Sequence, residues 1–100
     1  MPKIFEYFGL VFFVYTEDHL PIHVHVKYAE YENKFELLYD LGALEIKGRR
    51  VRSKKSLPST QRKEAEQFIR AFDKSIVEKW NRIMVYHLPV DFEKITKKLK

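Results

Sequence analysis

His19, His23 and His25 lie within seven residues of one another, on either side of Pro21. The last two are separated by a single residue, in a run that alternates polar and apolar side chains. On a β-strand, alternate side chains point to the same face of the sheet, so His23, His25 and Lys27 are expected to share one face. The apolar side chains between them can join a core. Any chemistry in this chain is therefore expected on the face that carries the histidines.

A histidine pair beside cations has the groups that metal-free phosphodiester cleavage requires. One imidazole takes the proton of the attacking 2′-hydroxyl, a second protonates the leaving oxygen, and a cation stabilises the charged phosphorane. This hypothesis assigns acid–base roles to His19, His23 and His25, and it has Asp18 orient His19. Tyrosines near the histidines could stack on a base, namely Tyr15, Tyr28 and Tyr31.

Two other interpretations of the same residues stay open. Neutral imidazoles and a carboxylate suit zinc or another first-row metal; His23 and His25 would then be ligands, with His19 or Asp18 as the third. The structural interpretation is that Asp18 and His19 bond to the backbone of a turn, while His23 and His25 are ordinary polar residues on an exposed sheet face. We favour no metal and expect no cofactor, with the three-histidine site as the alternative.

Positive charge is concentrated in one part of the chain. The formal net charge is +5, and the stretch from Lys47 to Lys63 holds eight basic residues and no acid. Such a cluster is typical of a protein that meets a polyanion or an acidic partner, and it also occurs in solvated loops. The residues predicted to hold phosphate or nucleic acid are Lys27, Arg49, Arg50, Arg52, Lys54 and Lys55.

The histidines must be positioned by strands, because β-branched and aromatic runs fill the chain from about residue 4 to residue 47. Residues 23–28 and 34–41 are predicted to form an antiparallel hairpin, in which Lys34 or Glu36 lies across from the histidine face. A basic loop is expected over 48–58. The side chains of this hairpin that point inward are expected to be Val24, Val26, Phe35 and Leu37.

Apolar residues at three- and four-residue spacing predict an amphipathic helix over about 59–87, followed by a tail over 88–100. Ser59 or Thr60 is expected to cap its start, and Asp73 marks a place where it could divide in two. The stripe of apolar residues consists of Ala65, Phe68, Ile69, Phe72, Ile76, Trp80, Ile83 and Met84.

A sheet and a helix that each have one apolar side bury both by packing face to face. The predicted fold is therefore a single α+β domain with two layers. Its mostly antiparallel sheet of four to five strands packs on a C-terminal amphipathic helix. The chain has no cysteine and no apolar run of about 18 residues, so we expect a cytoplasmic protein that does not enter the membrane.

Residues 12–26 carry a resemblance to a known family. The run Asp18-His19-Leu20-Pro21-Ile22-His23-Val24-His25 is similar to the signature Asp-His-x-Pro-Pro-His-x-His. In the family this signature follows an N-terminal Met-Pro and an aromatic strand. A helix with a tryptophan near its end comes after it, and Trp80 matches that tryptophan here. On these motifs the chain is identified as a member of the small bacterial family called domain of unknown function 4160. Ile22 stands where the family usually has a second proline, and the stretch from Lys47 to Lys55 is more basic than usual.

The resemblance implies a genetic role more than a mechanism. Family members resemble the toxin half of type II toxin–antitoxin pairs, so it implies an antitoxin encoded by the adjacent gene as protein partner. Carried over to this sequence, the functional positions would be Asp18, His19, His23 and His25. Analogy with other small toxins suggests RNA or the ribosome as target. We expect a toxin that acts on RNA or translation, as a metal-independent ribonuclease if it is an enzyme. The alternatives are a non-enzymatic nucleic-acid- or protein-binding module and a metal-dependent hydrolase.

Overall fold

Strands and one long helix follow each other in the computed structural model, which describes residues 2–17 and 19–99. The strands form one sheet in the order β5-β4-β3-β2-β1-β6, antiparallel throughout except that β6 runs parallel to β1. The α+β class is confirmed, with one strand more than the expected four to five. The elements are β1 (Lys3–Tyr7), β2 (Leu10–Phe13), β3 (His23–Tyr28), β4 (Tyr31–Asp40), β5 (Ala43–Arg50), α1 (Ser59–Met84) and β6 (Glu93–Ile95).

Two-residue turns fix the register of the hairpins. Phe8–Gly9 joins β1 to β2, and Leu41–Gly42 joins β4 to β5; all four residues have positive φ. Positive φ at both central residues characterises type I′ turns, whose twist matches that of the flanking strands. A fixed register decides which side chains reach each face of the sheet, because a slip of one residue would exchange the two faces.

The main core lies between one face of the sheet and α1. Phe5 and Phe12 of the sheet meet Phe68 of the helix, with ring centroids 5.3 and 4.6 Å apart. All three side chains are buried, and burial of one such side chain stabilises the fold by about 1.5–3 kcal/mol. The four hairpin residues that were expected to point inward lie in this core, which confirms that prediction: Val24, Val26, Phe35 and Leu37.

Helix α1 differs from the prediction at both ends. It begins after Pro58, and no side chain forms a capping hydrogen bond, so the predicted capping by Ser59 or Thr60 is wrong. It ends at Met84, a little before the predicted end, where the amide of Val85 donates to the carbonyl of an earlier turn. Among residues 2–17 and 19–99, no helix is both long enough and apolar enough to cross a membrane.

The helix is irregular near Asp73, where a division was predicted. Phe72 has φ −117° and ψ 20°, outside the helical region, and its ring stacks on Phe68 at 4.4 Å. The next side chain, Asp73, accepts a hydrogen bond of 2.9 Å from the hydroxyl of Tyr39 on β4. Partial burial and this carboxylate raise the pKa of Tyr39 from 10.0 to about 12. The irregularity thus places Asp73 where it ties the helix to the sheet.

Strand boundaries differ from the prediction in the hairpins and in the tail. β4 begins at Tyr31 rather than at residue 34, and β5 continues to Arg50, so residues 48–50 belong to a strand and not to the basic loop. The predicted tail contributes β6, which Lys79 of α1 anchors. The Lys79 ammonium donates to the carbonyl of Asp91 at 2.7 Å and lies 3.0 Å from the carboxylate of Glu93.

Candidate functional site

Strand β3 directs His23 and His25 to the face of the sheet opposite α1, which we call the helix-free face. The two valines that alternate with them belong to the core against the helix, so the histidines must project the other way. Their Cα partners on β4 are Glu36 for His23 and Lys34 for His25. The predicted shared face, and the residues expected across from it, are therefore confirmed.

The two histidines are buried, although no helix covers them. His23 is 5% exposed and His25 is 6% exposed, and Phe13, the partner of His25 on β2, is 1% exposed. The interpretation of these histidines as ordinary polar residues on an exposed sheet face is therefore wrong. The helix-free face carries a second buried cluster, separate from the main core.

Aromatic rings enclose His25. Phe13 stacks on it with centroids 5.4 Å apart and planes inclined by 22°, and Tyr15 meets it edge-on at 4.5 Å. His23 lies 5.5 Å away, ring centroid to ring centroid. Tyr15 follows β2 at the start of the connection to β3, so this connection supplies one wall of the cluster.

His23 is also bound to the other end of that connection. Its Nδ1 lies 2.8 Å from the carbonyl oxygen of Pro21. Because a carbonyl oxygen can only accept, Nδ1 carries the hydrogen in this bond, and Nε2 is then the acceptor nitrogen of the neutral ring. The bond fixes the orientation of the imidazole where β3 begins.

Glu32 of β4 completes the cluster. Its Oε2 lies 3.3 Å from Nδ1 of His25, within ion-pair distance, and its side chain is 4% exposed. Glu32 stands opposite Lys27, one step along the same face from the partner of His25, so it reaches the histidine diagonally. The sequence analysis missed it because it placed the start of this strand at residue 34. A strand start at residue 31 would have put Glu32 on the histidine face.

Two imidazoles, a carboxylate and a phenol therefore meet in one small space, and these groups can perform general acid–base chemistry. They are Tyr15, His23, His25 and Glu32. Two of them already lie side by side, since the carboxylate of Glu32 is 3.3 Å from Nδ1 of His25. Because both histidines are buried, a phosphodiester reaches these nitrogens only if the groups that cover them rearrange.

The structure does not bring all the predicted catalytic and metal residues into this cluster. His23 and His25 are together, whereas His19 is exposed in the connection. Asp18 lies outside the described residues. Over residues 2–17 and 19–99, no group of three or more histidine, cysteine, aspartate or glutamate side chains is arranged to hold a metal ion.

The predicted phosphate-binding residues are all exposed, and most of them line two grooves. The first groove, of about 310 Å³, is lined by Lys27, Lys54 and Lys55 together with Glu32. The second, of about 330 Å³, is lined by Arg49 and Arg50 together with two cations from the first turns of α1, Arg62 and Lys63, and with Glu66. Arg52 lies between them in sequence and lines neither groove.

The two grooves are neighbours, because Glu32 and Lys55 of the first are adjacent in the chain to Asn33 and Ser56 of the second. One hydrogen bond within each groove ties β4 to the segment that follows β5: the backbone amide of Glu32 donates to the carbonyl of Lys55 in the first, and the side-chain amide of Asn33 donates to the Ser56 hydroxyl in the second. Sequence proximity alone did not single out Arg62 and Lys63 as site residues. The sequence feature that could have identified them is their position at the end of the stretch from Lys47 to Lys63, which contains no acid.

Glu32 connects the first groove with the histidines, since this residue lines the groove and its carboxylate pairs with His25. Of the tyrosines that were predicted to stack on a base, Tyr31 lines this groove and Tyr15 packs on His25. Tyr28 packs against the main core instead. A ligand in the first groove would therefore lie next to the residue whose carboxylate pairs with the buried His25.

Comparisons with known proteins give one match. A family model described as Domain of unknown function (DUF4160) matches residues 9–81, which span most of the sheet and nearly all of α1. No curated protein and no solved structure matches the chain.

Proposed function

Since the chain belongs to the family described as Domain of unknown function (DUF4160), we propose that it is the toxin of a type II toxin–antitoxin pair and acts on RNA in the cytoplasm. The genetic role rests on the motif around Pro21 and its resemblance to that family. The RNA target rests on one observation, the convergence of exposed cations on two neighbouring grooves.

Exposed cations suit the phosphate backbone because each contact releases counterions condensed on the nucleic acid. Two of the cations already have carboxylate partners: Arg49 lies 3.2 Å from Glu36, and Lys55 lies 3.7 Å from Glu30. Exposed ion pairs of this kind contribute about 0–1 kcal/mol, so phosphate can replace these partners at little cost. Both grooves are therefore available to a strand of RNA.

In this proposal, RNA held in the grooves reaches His23 and His25 after the connection between β2 and β3 opens. His25, oriented by Glu32, and His23 then supply the base and the acid for metal-independent cleavage. The burial of both histidines favours a second candidate, a non-enzymatic module that binds RNA and blocks translation without cleaving it. The two candidates share the cation grooves and differ in whether the cluster does chemistry.

Growth of a bacterial host after induction of this chain tests the proposal, with total RNA examined at the same time. We expect arrest by the wild type and loss of arrest in the double variant Arg50→Gln/Arg62→Gln, which removes two cations from the second groove. The matched control is Lys74→Gln/Arg82→Gln, which removes the same charge from exposed positions on the second half of α1. Cleaved RNA supports the ribonuclease, and arrest with intact RNA supports the binding module.

Binding of the purified protein to a single-stranded RNA gives the same comparison without cells. For the wild type, affinity should fall steeply as salt rises. Each lost phosphate contact should reduce the slope of log affinity against log salt by about 0.7. The second-groove variant should therefore have a shallower slope than the control variant. Equal slopes in both variants, with no growth arrest by the wild type, would refute the RNA proposal.

A further inference from the structure

Strand β5 forms one edge of the sheet, and its outer side has no partner strand among residues 2–17 and 19–99. It is eight residues long, and most of its residues are exposed. An exposed edge presents unpaired N–H and C=O groups, to which an extended segment of another chain can add as a further strand. The chemistry of this edge identifies the kind of segment that fits.

The hairpin turn decides which backbone groups point outward. Asp40 and Ala43 close the two-residue turn and so form a hydrogen-bonded pair, after which bonded and non-bonded pairs alternate along the ladder. The carbonyl of Leu44 confirms this direction, because it accepts a hydrogen bond from Arg70 of α1 at 3.2 Å, outside the ladder. The residues of β5 whose N–H and C=O groups point away from β4 are therefore Leu44, Ile46, Gly48 and Arg50.

The two faces of β5 differ in chemistry. Toward α1 it presents Leu44 and Ile46, which are partly buried against the main core. On the helix-free face it presents Glu45, Lys47 and Arg49, all exposed. A strand added at this edge alternates its side chains between the same two faces. It fits best if apolar residues follow the helix side and acidic residues lie beside the two cations.

A second copy of this chain fits the edge less well than an acidic segment does. In an antiparallel pairing of β5 with another β5 about Gly48, Lys47 of each copy faces Arg49 of the other, and like charges directly opposite one another on neighbouring strands are destabilising. Paired about Ile46, the copies place Glu45 opposite Lys47 and leave Arg49 without an acid. Glu45 is the single acid of β5, so a second copy cannot place an acid opposite both cations, whereas a segment with acids at alternate positions can.

We propose that the outer edge of β5 binds an extended segment of a partner protein, in which acidic and apolar residues alternate. Such a segment lies next to Arg49 and Arg50, so it excludes RNA from the second groove. Under the proposed function the segment belongs to the antitoxin, and in this identification alone the inference rests on that function. The pairing of such a segment with β5 is inferred from the exposed strand edge and does not depend on the proposed function.

A synthetic peptide in which glutamate and valine alternate tests the edge directly, followed by NMR of the backbone amides. Titration should shift and protect the outward-pointing amides of Ile46, Gly48 and Arg50, with weakening at high salt. The same peptide with lysine in place of glutamate should leave them unchanged. No saturable shift, or equal shifts with both peptides, would overturn the proposal.

Gly48 offers a matched pair of variants that separates backbone pairing from charge. Gly48→Pro removes an outward N–H while keeping every cation and the ladder to β4, and it should abolish peptide binding. Gly48→Ala keeps the N–H; its added methyl would lie 3.5 Å from the Phe35 ring, an ordinary contact, so binding should persist. Peptide binding by Gly48→Pro would refute strand addition.

RNA affinity measured on the same two variants distinguishes this inference from the proposed function. Because Gly48 lines the second groove, the two variants are compared with each other: both keep the cations of the grooves and both add carbon at this position, so they should bind RNA equally. Loss of peptide binding by Gly48→Pro alone, at equal RNA affinity of the two variants, supports the edge. A protein that binds the peptide but no RNA would refute the RNA proposal and leave the edge intact.

Discussion

The two faces of the sheet are buried by different means. On the helix side, Phe5, Phe12 and Phe68 belong to a continuous apolar core that α1 covers. On the helix-free face, His23, His25 and Glu32 are buried almost as deeply, with rings from β2 and the following connection packed against them. The burial of apolar surface stabilises the first region. The second depends on whether its polar atoms keep their partners, because an unpartnered buried polar group is costly.

The contrast indicates which region of the sheet can carry a functional site with little loss of stability. The apolar core determines the fold and tolerates little change in volume. The polar cluster contributes less to stability, and the connection that walls it is only partly buried at Tyr15. A site that must open to admit a ligand is expected in the second region rather than in the first.

The largest effect is expected from emptying the apolar core. Phe68→Ala should lower the free energy of unfolding by about 3–5 kcal/mol, because Phe68 is fully buried among three other aromatic rings of the sheet. Chemical denaturation monitored through Trp80 measures it. Leu41→Ala is the control, since Leu41 is fully exposed in a turn and should change stability by less than about 0.5 kcal/mol.

A smaller effect is expected on the helix-free face. Glu32→Gln removes the charge that His25 faces and should cost about 1–3 kcal/mol, since both side chains are buried. Glu36→Gln on the same strand is the control: its partner Arg49 is half exposed, so the loss should stay below about 1 kcal/mol. Equal losses of unfolding free energy in the two variants would mean that burial does not strengthen the interaction between His25 and Glu32.

A double-mutant cycle sharpens this result. His25→Gln combined with Glu32→Gln should cost less than the sum of the two single changes, because each single change already removes the interaction. If the cluster is catalytic, Glu32→Gln should also abolish growth arrest while the protein remains folded at growth temperature. Retained arrest with a folded variant would exclude a catalytic role for Glu32.

The smallest effect is expected at the contact between α1 and β4, where Tyr39 donates its hydrogen bond to Asp73. Burial and the Asp73 carboxylate raise the pKa of Tyr39 to about 12 in the folded protein, from the ordinary 10.0 of a free tyrosine, so the folded state holds this proton more tightly. The contribution of this proton to the free energy of unfolding is fully present below pH 10 and is lost as pH rises toward 12. Solvent screening keeps it below about 1 kcal/mol, because Tyr39 is 47% exposed.

Denaturation of the wild type and of Tyr39→Phe over this pH range checks the prediction. The difference in stability between the two should shrink as pH rises, because the phenylalanine variant cannot lose that proton. A constant difference would show that the bond to Asp73 makes no pH-dependent contribution.

Periodicity alone predicted most of the fold. The alternation around His23 placed the histidines on one face, and the helical spacing of Phe68, Ile76 and Trp80 placed α1. The errors occur where local pattern is weak. No alternation marks β6, which forms because Lys79 binds Asp91 and Glu93 from a distant part of the chain. The predicted ends of β5 and α1 differ from the observed ends, because tertiary packing determines where these elements end more strongly than residue propensity does.

The order and spacing of the residues are enough to predict the α+β class, the shared face of His23 and His25, and the concentration of cations between residues 47 and 63. These properties depend on the period of side chains along one chain. The folded structure was needed to show that both histidines are buried, that Glu32 is the carboxylate beside them, and that Arg62 and Lys63 join Arg49 and Arg50 around one groove. Burial and pairing depend on strand register and on segments distant in the chain, and one sequence does not specify these contacts.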